Sequence, residues 1–276
     1  MKQLISLCLG FSILSFSLNA QVIQTKKSGN QTTGSMATNQ SMKGAYLMTM
    51  QKATQNKKDS VMYVKQFKIY TDGYYMYAHT LDVDTLGSYG VGTYSMKNGK
   101  LTENSFYTSA NGSHNDSYDV EIQKTQGGYT QVIEFPGDAS GTDFMLTESY
   151  KNESKKLVSA LDGAWMMSKL TLVATNGTST VIDNPVQYKF YQSGHFIFGS
   201  TQTDAATHKT ISGIGYGSFT VNSVNEITET AINSSYHSSI NTPIKLKLSF
   251  KGKDNYQQTI VWPDGSKMIE EYERLK

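Results

Sequence analysis

Gln187-Tyr188-Lys189-Phe190-Tyr191, a Ser193-Gly194 turn and His195-Phe196-Ile197-Phe198 repeat, in kind and order, an earlier stretch of the same chain. That stretch is Gln66-Phe67-Lys68-Ile69-Tyr70, an Asp72-Gly73 turn and Tyr74-Tyr75-Met76-Tyr77. Alternating aromatic runs on either side of a two-residue turn are the signature of a β-hairpin. Its occurrence twice points to a duplicated β domain.

Working outward, the same order recurs on both sides. Gly44-Ala45-Tyr46 returns as Gly163-Ala164-Trp165, and Gly90-Val91-Gly92-Thr93-Tyr94 as Gly215-Tyr216-Gly217-Ser218-Phe219. Thr102-Glu103 returns as Thr228-Glu229. Tyr129-x-Gln131-x-Ile133-x-Phe135-Pro136 returns as Tyr256-x-Gln258-x-Ile260-x-Trp262-Pro263, and Glu148-x-Tyr150 as Glu270-x-Tyr272. The spacing is that of a whole domain, not of a solenoid repeat. The expected organisation is a signal peptide over 1–20, a flexible polar leader over 21–40, domains over 41–152 and 161–276, and a linker over 153–160.

Each half reads as eight strands. In the first they lie near 44–53, 61–70, 74–80, 88–96, 101–109, 117–124, 129–135 and 143–151. In the second they lie near 163–174, 185–191, 195–201, 210–221, 226–236, 243–251, 255–262 and 266–275. Ile244-Lys245-Leu246-Lys247-Leu248-Ser249-Phe250 alternates strictly, so one face is buried and one is wet. Eight antiparallel strands on tight turns hide their edges by closing into an up-and-down barrel. The expected fold is therefore all-β: two tandem eight-stranded antiparallel up-and-down barrels.

The chain begins with Lys2, an apolar run from Leu4 to Leu18 and a small-residue exit at Ala20, the layout of a cleavable export signal. This predicts a secreted or periplasmic protein with no membrane-spanning segment. Cys8 is the single cysteine and lies in that run, so no disulfide, zinc–thiolate or cysteine nucleophile is expected afterwards. The formal charge is +2 and Arg274 is the only arginine, which sets nucleic acid aside as a partner.

Gly163-x-Trp165 on a first strand, an eight-strand meander and Arg274 on the last strand resemble the lipocalin-like (calycin) barrels. The resemblance implies that Trp165 closes the barrel base with Arg274 packed across its ring, and that a small apolar ligand is bound. The first half departs from it, with Gly44 and Tyr46 at the equivalent places and Lys151 or nothing for the arginine.

Other chemistry reads plainly. The glycine runs Gly87–Gly92 and Gly213–Gly217 continue as strand, so they are expected to be bends or bulges rather than phosphate loops. Asp82-x-Asp84 lacks the remaining calcium ligands. No two histidines have metal-ligand spacing, and no cofactor or metal is expected. His114 and His237 fall in comparable polar loops, expected at a barrel rim. There is no nucleophile elbow, and the recurring glutamates, Glu103 with Glu229 and Glu148 with Glu270, are expected on the surface or at barrel ends, so no enzyme is expected.

The aromatic ladder remains. Tyr75 and Tyr77 correspond to Phe196 and Phe198 on the third strand, and Phe67 and Ile69 to Tyr188 and Phe190 on the second. These side chains are expected to face the barrel interior, as plain core or as a ligand lining in which Tyr75, Tyr77, Tyr188, Phe190, Phe196 and Phe198 make the contacts. The expected function is binding of a small apolar or amphipathic molecule. The alternative is a solid-barrel structural module that meets another protein or a glycan.

Overall fold

The computed structural model describes residues 41–80, 87–97, 99–135, 144–203 and 210–276. The export signal, the leader, Asp82-x-Asp84, Asp204 and His208 lie outside them. The first barrel comprises β1 (Gly44–Gln55), β2 (Lys58–Met62), β3 (Lys65–Tyr70), β4 (Tyr74–Thr80), β5 (Gly87–Lys97), β6 (Lys100–Thr108), β7 (Gly112–Thr125), β8 (Gly128–Phe135) and β9 (Phe144–Asn152). The second comprises β10 (Gly163–Val173), β11 (Ser179–Asp183), β12 (Val186–Gln192), β13 (His195–Thr203), β14 (Thr210–Ser223), β15 (Glu226–Ser234), β16 (Pro243–Phe250), β17 (Asn255–Val261) and β18 (Lys267–Arg274). Antiparallel neighbours follow chain order, and β9 pairs back onto β1 as β18 does onto β10, so both sheets close. Among the described residues the only helical element is a 3-10 turn at His237–Ser239.

Each barrel wall has the eight expected strands, with one correction. The predicted second strand of the first half, 61–70, is divided between β2 and β3, whereas 185–191 is β12 and an unpredicted strand, β11, precedes it; β2 and β11 are each paired only with the far half of β1 or β10, while β3 and β12 take the near half. Bulges at Thr49 and Ser168 re-aim the first strand between those halves. Further bulges sit beside Gly92 and Gly217, as the glycine runs led us to expect. The Ser193-Gly194 hairpin has φ of 52° and 78°, the conformation of a tight primed turn.

The barrels pack against each other through the outer faces of β3–β5 and β12–β14, in one compact unit. Phe67 stacks on Tyr216 at 5.1 Å, and the Tyr89 hydroxyl meets Thr201 Oγ1 at 2.7 Å. Gly199 admits the Tyr89 ring, and Gly87 admits Ile214; a Cβ at either place would overlap its visitor. Strands β3 and β12 are thus buried on both faces. Both tryptophans of the chain, Trp165 and Trp262, belong to the second barrel. A shared core predicts that denaturation followed by tryptophan fluorescence and by far-UV circular dichroism gives one coincident transition, and that Phe67→Asp separates the two curves. Separate curves in the unaltered protein would show that the joint is not a cooperative core.

Candidate functional site

Because side chains alternate along a strand, the buried outer face of β12 leaves Gln187, Lys189 and Tyr191 pointing inward. They meet Glu229 from β15, Gln258 from β17, and Glu270 and Tyr272 from β18 in a polar belt across the barrel. Lys189 Nζ lies 2.9 Å from Glu229 Oε1 and 3.0 Å from Oε2, and Tyr191 donates to Oε1 at 2.5 Å. Gln258 donates to Glu270 Oε2, Tyr272 donates to the same oxygen at 3.2 Å, and Gln187 approaches Oε1 at 3.4 Å. The first barrel repeats the belt. Lys68 pairs with Glu103 at 2.6 Å and Tyr70 donates to that carboxylate. Glu148 accepts from Gln131 at 2.6 Å, Tyr150 at 2.8 Å and Gln51 at 2.8 Å, and Gln66 donates to the Tyr150 hydroxyl.

One difference between the belts is a change of residue. Gln51 of β1 stands opposite Glu148, whereas Leu170 of β10 stands opposite Glu270. Burial pushes the Glu270 carboxyl above the usual carboxylate range, and the Lys189 charge offsets this only in part. Burial likewise drives the Tyr191, Tyr256 and Tyr272 hydroxyls far up, so they remain neutral. The Tyr256 hydroxyl is buried with no hydrogen-bond partner.

Below each belt the barrel is sealed. Trp165 is fully buried, edge-on to Tyr256 at 4.7 Å, with the Arg274 guanidinium 4.0 Å above its ring. Its indole N–H donates to Leu161 O at 2.7 Å, and Arg274 donates to Asp162 O at 2.9 Å. Gly163, with φ of 140°, leaves the room that Arg274 fills. In the first barrel Tyr46 donates to Met42 O at 3.0 Å, four residues back as for Trp165, and the Ser154 hydroxyl rather than an arginine lies over Gly44.

Above each belt the wall opens. Leu172, Ile182, Ile211, Tyr236 and Trp262 lie on the inward side of the second barrel's mouth, yet all are at least 40% exposed. Half-buried Leu170, Phe198, Ile244 and Met268 lie beneath them. The first mouth is lined by half-buried Tyr77, Tyr118 and Ile133, with Phe135 against Phe144. His79, beside Tyr77, has an unpartnered Nδ1, and burial lowers its pKa to about 4. Among the described residues no group of three His, Cys, Asp or Glu could hold a metal, and no helix is long and apolar enough to cross a membrane.

The structure places Tyr75 and Phe196 inside the sealed part of their barrels, and Tyr77 and Phe198 nearer the mouths. Gly90 and Gly215 make room for the Tyr77 and Phe198 rings. Tyr188 and Phe190 are not interior. They belong to the joint between the barrels with Phe67 and Ile69, because the first barrel, not a ligand, covers that face. The glutamates are also corrected: Glu103, Glu148, Glu229 and Glu270 are all buried, two in each barrel, rather than on the surface or at barrel ends. His114 is half-buried and bonds Ser105 Oγ at 2.8 Å, while His237 is exposed in the 3-10 turn. Sequence reading missed the belt, although seven of its members, Gln66, Lys68, Tyr70, Glu103, Gln131, Glu148 and Tyr150, recur unchanged in the second copy.

No protein-family model matches the chain, and no curated protein matches it in sequence. Among solved structures it is similar to a protein of unknown function from the DUF3598 family of Nostoc punctiforme PCC 73102. That similarity has 8% identity and a TM-score of 0.27, and it covers 85% of this chain and 96% of the other.

Proposed function

We propose that this is an exported, non-catalytic protein of lipocalin-like type that binds small apolar or amphipathic molecules in its barrel mouths. The observation that carries the reading is the inner rim of the second barrel, where five large apolar side chains stay at least 40% exposed above a buried polar floor. Exposed apolar groups converging on one concavity favour an apolar occupant. The Trp165–Arg274 stack at the closed base supports the lipocalin-like type. The Lys2 to Ala20 segment supports export. An apolar set of similar volume in place of a whole buried ionic cluster is often about as stable, so a polar floor kept in both barrels supports a role in orienting what enters.

The second reading is a solid-barrel module that meets another protein or a glycan. It is favoured by the sealed bases and by β2 and β11, which are exposed at every residue. One experiment separates the two. N-Phenyl-1-naphthylamine, a neutral apolar dye, is titrated into the protein, alongside native mass spectrometry of protein from its own host. Ligand binding predicts saturable dye uptake, at most one per barrel, weakened at least about tenfold by Phe198→Glu, because a charge in an apolar site costs more than the roughly 1.4 kcal/mol that tenfold represents. No uptake and a clean unliganded mass would overturn it in favour of the interaction module.

A further inference from the structure

Glu270 is the first charged group below the apolar rim of the second barrel. Along β18 the inward side chains run Met268, Glu270 and Tyr272 from mouth to base. The ionisable groups that face it are Lys189 and Tyr191 from β12, Glu229 from β15, Tyr256 from β17 and Tyr272 on its own strand; β10 presents Leu170 and Met167. The single cation of this set is engaged elsewhere, with Lys189 Nζ held between both oxygens of Glu229. Among the described residues no cation lies in salt-bridge range of Glu270, which takes only neutral donors, one of them at 3.4 Å. The equivalent glutamate of the first barrel has a third short donor in Gln51, where this barrel has Leu170. The belt thus holds two carboxylates and one ammonium. The partnerless Tyr256 hydroxyl is buried among them.

We propose that the mouth of the second barrel takes a small amphipathic amine. Its ammonium group lies on the Glu270 carboxylate and its apolar body runs along Leu170, Leu172, Ile182, Trp262 and Met268. This rests on the ligand-binding reading and names its ligand class. An ammonium supplies the charge that Lys189 cannot, through charge-assisted hydrogen bonds in a low-dielectric site. A carboxylate ligand would add a third negative charge, and an alcohol would leave Glu270 uncompensated. A proton competes with the ammonium for the Glu270 oxygens, and burial favours that proton more than at an exposed carboxylate. Amine affinity therefore rises with pH as Glu270 gives up that proton, while the three tyrosines stay neutral.

The test is calorimetric titration of the full mature chain with decylamine, decanol and decanoate, three ligands of one chain length. The expected result is decylamine at least about tenfold tighter than decanol, decanoate weakest, and an amine preference that grows with pH. Glu270→Gln, which keeps the shape and removes the charge, is expected to bring decylamine to about the decanol affinity. Leu170→Gln, which restores the first barrel's donor, is expected to reduce the preference. Equal affinities for amine and alcohol, or a preference that survives Glu270→Gln, overturn the amine assignment and leave the ligand-binding reading standing. Failure of all three to bind overturns both.

Discussion

Replacing Lys189 with methionine is expected to destabilise the protein by about 3–5 kcal/mol, the cost of leaving a buried carboxylate without its counter-charge. Lys189 is 4% exposed and Glu229 8%. The lysine bonds both carboxylate oxygens, and Tyr191 alone cannot neutralise the charge that remains. The double change Lys189→Met with Glu229→Leu is expected to recover most of the loss, because an apolar pair of similar volume costs no desolvation. Guanidinium denaturation of the two variants decides the matter. A single variant within about 1 kcal/mol of the parent would mean that Glu229 finds solvent or another donor at little cost. Lys68→Met is expected to behave alike in the first barrel, where the pair is closer, at 2.6 Å.

Trp165→Ala is expected to cost about 3–5 kcal/mol, through lost burial and the cavity left behind. Trp165 has no exposed surface and joins the first strand, the Leu161 carbonyl, Tyr256 and Arg274. Removing it leaves the guanidinium with no ring beneath it and opens the barrel base. Arg274→Leu should cost less, about 1–2 kcal/mol, because Arg274 is partly solvated and a cation–π contact at such a site contributes about 0.5–1 kcal/mol beside its hydrogen bonds. If thermal or chemical unfolding shows the arginine change to cost more than the tryptophan change, the base is held by polar contacts and not by packing.

The belt was written in the sequence as identity between the two copies. Gln66, Lys68, Tyr70, Glu103, Gln131, Glu148 and Tyr150 recur unchanged, while the outward positions drift, Phe67 to Tyr188 and Ile69 to Phe190. Outward positions need only match a neighbouring surface. Inward positions are linked by hydrogen bonds that fix residue type as well as size. The common rule that alternating strands turn their apolar side inward reverses on β3 and β12. Period-two patterning reports which face is drier, not which face is inside.

The sequence by itself determined the duplication, the antiparallel meander and the closure of each half. These follow from local turn chemistry, two-residue periodicity and the need to remove sheet edges. Tertiary structure decided which aromatics line a barrel and which join two of them, and that four glutamates scattered along the chain are buried, two of them against lysines. Strand tilt and bulges set the neighbours across a barrel, and the outer face of one barrel becomes a core only when the other barrel covers it.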